Sequence, residues 1–229
     1  EHDVNAVSQL APALQDSPKP LTIIVIGGTS GIGLELVKLA LERGHNVTAV
    51  SRRPERLTLT HPRLSKQQGD MTDPSDMAKL LPNHDVIVSA VGLSAGSRNV
   101  TLFSAGITNI INQMTNHVTT RLIAVSAIGA GDSQGHGGVL FDSILQPLIL
   151  ADDIADKSTM EQILVNSNSN FTVVRPAILT DAAGRGLYRV FSDLQGVETA
   201  SIARKDVAHF LLGLAEQNSY LRQIVTVSD

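Results

Sequence analysis

Seven residues in the first quarter of the chain, Gly27-Gly28-Thr29-Ser30-Gly31-Ile32-Gly33, have the composition of a loop that holds an anion with its backbone. They follow Leu21-Thr22-Ile23-Ile24-Val25-Ile26, an uncharged β-branched run that reads as a buried strand. After them Ile32, Leu36, Leu39 and Ala40 repeat at helical spacing up to Arg43, and Gly44 supplies the stop. Glycines in a strand-to-helix turn permit a tight bend, let backbone N–H groups approach a pyrophosphate and let the helix pack closely on the sheet, while the helix N-terminus favours the negative charge. A glycine turn with no ligand is the plain alternative; the strand-loop-helix context argues against it. The next strand, Asn46 to Ser51, ends in Val50-Ser51-Arg52-Arg53, with no carboxylate before Glu55. An acidic residue there would bond a free ribose 2′-hydroxyl, whereas the planar fork of an arginine matches a 2′-phosphate. Arg52, with Arg53 and Ser51, is therefore expected to clamp that phosphate, which makes NADP(H) the expected cofactor. Two arginines in a solvated turn are the alternative.

Other chemistries find less support. The chain has no cysteine, which excludes a disulfide framework, a thiolate nucleophile and cysteine-ligated metal. His2, His45, His61, His84, His117, His136 and His209 are scattered without ligand spacing, so no metal is expected. His136, in a glycine-rich loop, is a candidate proton donor, with a solvated histidine as the alternative. Asp152, Asp153 and Asp156 read as an acidic patch at a helix start, where the dipole alone favours carboxylates. A net charge of −4 and the lack of any Lys/Arg-rich run offer no field for a phosphate backbone, so a small molecule is the expected partner and nucleic acid is not. No stretch reaches the roughly 18 uninterrupted apolar residues of a membrane helix, so a membrane is not an expected partner either. The default compartment is cytoplasmic, with Glu1 in place of Met leaving room for an upstream targeting segment. The expected state is a monomer or a small homo-oligomer.

The elements that must position these residues alternate along the chain. Strands are expected at 21–26, 46–51, 64–69, 85–90, 121–126, 171–175 and 223–227, with helices at 31–43, 74–81, 98–116, 152–166 and 206–215. Parallel strands need crossover helices, so this alternation predicts an α/β fold with a doubly wound parallel sheet, the Rossmann fold, in a single domain over residues 21–229. Residues 1–20 read as an N-terminal appendage and linker: Val4, Val7 and Leu10 have helical spacing, and Ser17-Pro18-Lys19-Pro20 breaks the chain. Loops at 93–98, 128–150 and 179–196 are expected to carry the substrate, lined by Leu93, Val139, Leu140, Phe141, Leu187 and Phe191.

Further motifs carry a resemblance. Gln68-Gly69-Asp70-Met71, Ser89-Ala90-Val91-Gly92, Val125-Ser126-Ala127, Lys157, Val174-Arg175-Pro176-Ala177-Ile178-Leu179 and Ile202-Ala203-Arg204-Lys205-Asp206-Val207-Ala208 join the glycine loop over about residues 21–229. Together they resemble the atypical short-chain dehydrogenase/reductases, especially the flavin reductase and biliverdin-IXβ reductase type and the NmrA-like NAD(P)-binding proteins. The resemblance implies that Asp70 bonds the adenine amino group with Met71 beside it, and that Ala90, Val91 and Gly92 line the adenosine and nicotinamide ribose. Ser126 would sit near the nicotinamide, Lys157 would hold the ribose hydroxyls, and Pro176, Ala177, Ile178 and Leu179 would cover the nicotinamide ring. Asp70 as a helix cap for the Pro74 region and Lys157 as an exposed helix charge are the alternatives.

One position departs from the main branch of the family, in which a tyrosine four residues before the lysine donates a proton. Here that residue is Asp153, and an ionised carboxylate has no proton to give. Tyr188 and Tyr220 are distant in sequence, although Tyr188 falls in the expected substrate lid. Ser126, Lys157 and Asp153 are thus the catalytic candidates. The function expected is an NADPH-dependent reductase of a small conjugated or carbonyl substrate that lacks the usual tyrosine acid. The alternatives are a redox-neutral isomerase, cyclase or dehydratase, with Asp153 or His136 as base, and a non-enzymatic NADP(H)-sensing protein.

Overall fold

Short, largely apolar strands lie at the centre of the sheet. In the computed structural model, which describes residues 9–10, 14, 16, 19–93, 98, 100–114 and 120–229, these are β2 (Thr22–Ile26), β5 (Val86–Ser89) and β6 (Arg121–Val125), almost wholly buried. On one side follow β3 (Asn46–Ser51) and β4 (Leu64–Gln68), on the other β7 (Asn170–Pro176) and β11 (Gln223–Ser228). The order β11-β7-β6-β5-β2-β3-β4 is parallel throughout. The sequence Leu-Ser-Lys-Gln-Gln of β4 is mostly exposed, and a polar, lysine-bearing edge discourages further pairing. At the other edge β9 (Arg189–Phe191) and β1 (Gln9–Leu10) add antiparallel.

Helices cover both faces. Helix α1 (Gly31–Glu42) packs with α5 (Arg204–Gln217) on one face, where Leu36, Val37 and Ala40 share a core with Phe210, Leu211 and Leu214. Helices α2 (Pro74–Leu80), α3 (Leu102–Met114) and α4 (Ala151–Val165) cover the other, around Met77, Phe103, Ile107, Ile110 and Leu164. Each such large apolar side chain, taken fully out of water, contributes about 1.5–3 kcal/mol. Asp156 of α4 caps α3: its Oδ2 accepts from the N–H groups of Phe103 (2.7 Å) and Ser104 (3.2 Å). It is therefore a cap between helices and not a member of an acidic patch on its own helix. From β2 the chain winds outward to β4, and from β5 it winds outward the other way, so the topological switch point lies between β2 and β5. Open α/β sheets bind ligands in the crevice at the strand C-termini at that point.

Several expectations change. Leu10 sits in β1 and not in a helix, while Val4 and Val7 lie outside the described residues. Strand β8 (Ile178–Thr180) pairs in parallel with β10 (Ser201–Ala203) in a separate ribbon. These strands and β9 are three residues long, too short to show a periodicity. Residues 141–150, expected as loop, form a π-helical segment, Phe141–Leu150, running into α4. Pro147 inside it reads as a breaker because it removes a helical donor. Tyr188 is no lid residue: it is 3% exposed, packs edge-on against Phe210 and bonds Nδ1 of His209 at 2.8 Å. Among the described residues no helix is long and apolar enough to cross a membrane.

Candidate functional site

Backbone contacts fix the glycine loop first. Gly27 has φ of +86°, and a Cβ there would lie 2.7 Å from the Ala90 carbonyl oxygen; a Cβ on Gly33 would lie 2.1 Å from the Gly27 oxygen. Those two glycines, with Gly28 against Ala49, let the loop fold under β5 and let α1 approach it. Helix α1 begins with no side-chain cap from Ser30 and no acidic residue in its first turn, so its N-terminus presents free donors and positive potential to the crevice.

Two cavities open there and share Ser30, Val91, Gly92 and Leu93 in their walls. The first, of about 390 Å³, lies at the ends of β2, β3 and β4 and is bounded by Gly27, Thr29, Ser51, Arg52, Arg53 and Asp70. Arg52 and Arg53 are exposed, and no ion pair is formed by Arg52 within the described residues. The N–H of Arg53 donates to Ser51 Oγ at 3.2 Å, which fixes the turn. Asp70 is not the cap of α2, a role taken by Asp73, whose carboxylate accepts from Ser75 N–H. The Asp70 Oδ1 instead accepts from the backbone N–H (2.9 Å) and hydroxyl (2.7 Å) of Thr72. These two bonds hold its carboxyl below the usual carboxylate range, against the opposing effect of burial, and the charge of Arg52 adds to them. Met71, 2% exposed, is wall and core at once.

The second cavity, of about 640 Å³, lies at the ends of β5, β6 and β7. The N-terminus of α1, Ala90, Ser126, Pro176, Ala177 and Ile178 contribute to its walls. Inside it, the side chains of Lys157 and Asp153 meet at 3.3 Å, with the ammonium 4.7 Å from the centre of the Phe103 ring. Lys157 is thus largely buried and paired, and is no exposed helix charge. The Asp153 Oδ1 is buried with no hydrogen-bond partner among the described residues. A buried carboxylate oxygen without a donor is costly, and a ligand hydroxyl in this cavity would satisfy it.

Both cavities fit a dinucleotide. Among the described residues a Cβ on Gly31 or Gly92 would meet nothing within 4 Å, so each glycine leaves open space along which a cofactor would run. Gly92→Val is expected to weaken binding of a nicotinamide dinucleotide at least about tenfold by filling that space, with unfolding stability changed by no more than about 0.5 kcal/mol, since the site is exposed. Fluorescence titration beside a urea melt checks both halves.

The structure divides the remaining candidates. Leu93 and Phe141 line the second cavity, whereas Val139, Leu140 and Leu187 are exposed, and Phe191 packs in one cluster with Phe141 but lines a different pocket. His136 is not in this cavity: its Nδ1 contacts the Val197 carbonyl at 2.7 Å, beside another pocket next to Asp132 and Arg175. Residues 94–97 of the loop at 93–98 lie outside the described residues. Gly92-Leu93-Ser94-Ala95-Gly96 has the Gly-x-Ser-x-Gly spacing of a hydrolase elbow, and Ser94 is likewise outside them. Two arginines had no role in the sequence reading. Arg56, on the short turn Pro54–Arg56, joins Arg52 and Arg53, and its place in an Arg-x-x-Arg run was the available signal. Arg204, in the second cavity, bonds Asp181 Oδ1 at 2.7 Å and sits in the late motif. Asp206, two residues on, accepts from the N–H groups of Arg185 and Gly186 and so ties the 181–187 loop to α5.

Comparison with known proteins agrees with this geometry. Similar solved structures include ChuY, an anaerobillin reductase from Escherichia coli O157:H7 (TM-score 0.76, 21% identity, covering 90% of this chain and 96% of that one). Another is the oxidoreductase ylbE from Lactococcus lactis (0.75, 21%, 91% of each chain), and a third is a short-chain dehydrogenase/reductase from Veillonella parvula (0.74, 16%, 92% and 95%). At these identities the likeness is one of fold. Among curated proteins, an uncharacterized oxidoreductase of Schizosaccharomyces pombe is 33% identical over 78 residues, 31% of this chain. A 3-beta-hydroxysteroid dehydrogenase of Mycolicibacterium neoaurum is 38% identical over 65 residues, 28% of this chain. The aligned segments span only 27% and 18% of those two relatives. The model of the family described as NAD(P)H-binding matches residues 27–218, which takes in the glycine loop, both cavities and the late motif, and the chain belongs to that family.

Proposed function

We propose that the chain is an NADPH-dependent reductase of a small conjugated or carbonyl substrate, working without a tyrosine acid. The observation that carries this reading is the pair of adjoining cavities at the switch point, with an arginine cluster at one end and the Asp153–Lys157 pair at the other. Arg52, with Arg53 and Arg56 beside it, supplies the charge for a 2′-phosphate, and no carboxylate at the end of β3 competes for a 2′-hydroxyl. Lys157 donates to ribose hydroxyls, Asp153 holds Lys157 and accepts at its free Oδ1, and Pro176 to Leu179 close over the ring.

NADPH bound in this way supplies a hydride, and the side chains around it orient the two reactants and exclude water. Tyr188 cannot replace the missing acid. Burial, and then the charge of Asp206, push its phenol well above the usual tyrosine range, and it lies in the core beside His209. The proton is drawn from solvent, which suits a substrate whose conjugated system accepts hydride without a tightly held acid.

The test is titration with NADPH and NADH, followed by absorbance at the reduced nicotinamide band with flavins, tetrapyrroles, quinones and ketones. NADPH oxidation that depends on one compound supports a reductase and names its substrate class. Tight NADPH binding with no oxidation across the panel transfers the assignment to redox-neutral chemistry or sensing, and failure to bind refutes the reading.

A further inference from the structure

Ser126 stands at the end of β6 in the wall of the larger cavity, yet its hydroxyl is engaged behind that wall. Its Oγ lies 2.6 Å from Oε1 of Glu161, which is on α4 one turn beyond Lys157. Glu161 is 3% exposed, and its two oxygens accept from Nε (2.9 Å) and Nη2 (2.6 Å) of Arg175 on β7. Arg175 also reaches the exposed Asp132 through Nη1 at 2.5 Å. Burial works against the arginine's charge, but Glu161 and then Asp132 outweigh it and raise its affinity for the proton. A carboxylate bridged by a guanidinium has only lone pairs to offer, and the guanidinium has only hydrogens. The hydrogen in the Ser126–Glu161 contact is therefore the serine's one hydroxyl hydrogen. What the hydroxyl can present to the cavity is lone pairs.

We propose that Glu161, held in place by Arg175, is a positioning residue that fixes Ser126 as a hydrogen-bond acceptor for the carboxamide N–H of the nicotinamide. This rests on the NADPH reading above. The site lies on the β5-β6-β7 side of the switch point, across the glycine loop from Arg52, which is the end left for the nicotinamide once the 2′-phosphate is at Arg52. Competing backbone acceptors nearby are engaged in the sheet: the Val174 carbonyl takes Ser126 N–H (2.8 Å), Pro176 takes Ile128 N–H (3.1 Å) and Val227 takes Ala177 N–H (2.9 Å). The same commitment means that Ser126 does not donate a proton to the substrate, so its contribution is to cofactor orientation.

The 3-acetylpyridine analogue of NADPH separates these roles, because it keeps the carbonyl of the carboxamide and lacks its N–H donors. Fluorescence titration is expected to show the wild type binding NADPH about tenfold tighter than the analogue, as for the loss of one donor to a buried acceptor. Ser126→Ala brings the two affinities within about twofold of each other, and Ser126→Thr, which keeps a hydroxyl, restores the preference. Glu161→Asp keeps a charge opposite Arg175 but withdraws the oxygen from Ser126, so it loses the preference while still binding NADPH. Equal binding of both cofactors by the wild type, or a preference retained in Ser126→Ala, overturns the acceptor role. A preference retained in Glu161→Asp overturns the positioning role. Failure of the wild type to bind NADPH is a separate result and refutes the cofactor reading itself.

Discussion

Arg52→Ala is expected to weaken NADPH binding about 100-fold while leaving the affinity for NADH within about twofold, a difference worth ~2.7 kcal/mol. The expectation follows from where the charge sits. Arg52 directly follows β3 at the switch-point crevice, is exposed, and has no salt bridge of its own within the described residues that would compete for it. Its electrostatic neighbour, Asp70, is occupied by Thr72 through two hydrogen bonds to Oδ1. The guanidinium is thus unspent, and charge-assisted contact to a dianionic phosphate is the strongest single interaction it can make. Arg53→Ala and Arg56→Ala should each have a smaller effect, because they flank the same cavity while Arg52 directly follows β3. Comparative titration of the three variants with both cofactors checks the order. Equal losses for NADPH and NADH would show that Arg52 supports the fold of the turn and does not read the phosphate.

The parallel core was legible because its signals are local. Thr22–Ile26, Val86–Ser89 and Arg121–Val125 are short, largely apolar runs between helical patterns, and they form parallel strands as expected, while their place at the centre of the sheet had no local signal. The glycine loop was legible for the same reason, since its spacing is set by backbone contacts within a dozen residues. What escaped depends on partners distant in the chain. β9 exists because Arg189–Phe191 finds an edge at β11, and β8 because it meets β10. Tyr188 looked like a lid residue only while its burial against Phe210 and His209 of α5 was invisible. Asp156 looked like a dipole effect until α3 arrived to be capped. Asp153 was noticed as a departure from a motif, but its unpartnered oxygen is a property of the packed cavity. Glu161 had no sequence signal beyond lying four residues after Lys157 on the same helix face, and only the sheet brings Arg175 to it.

That buried pair should also be a sensitive electrostatic contact in the fold. Among the described residues, Glu161→Ala leaves the Arg175 guanidinium, 5% exposed, with only Asp132 as an acidic partner, and that side chain is 91% exposed. Removing one partner of a buried ion pair costs about 3–5 kcal/mol, because the other charge stays desolvated. For a chain of 229 residues that corresponds to a melting temperature lower by roughly 6–20 °C. Asp132→Ala should cost no more than about 1 kcal/mol, as its carboxylate is already in water. Replacing both members of the pair, as Glu161→Met with Arg175→Met, should be milder than Glu161→Ala alone, since apolar side chains of similar size need no solvation. Urea unfolding of the four proteins measures this ordering. If Asp132→Ala proves as damaging as Glu161→Ala, the stabilising charge is at the surface, and the account of Arg175 as a buried cation held by Glu161 is wrong. If the double variant is stable but has lost the preference for the carboxamide, the pair is kept for the orientation of Ser126 and the fold does not need it.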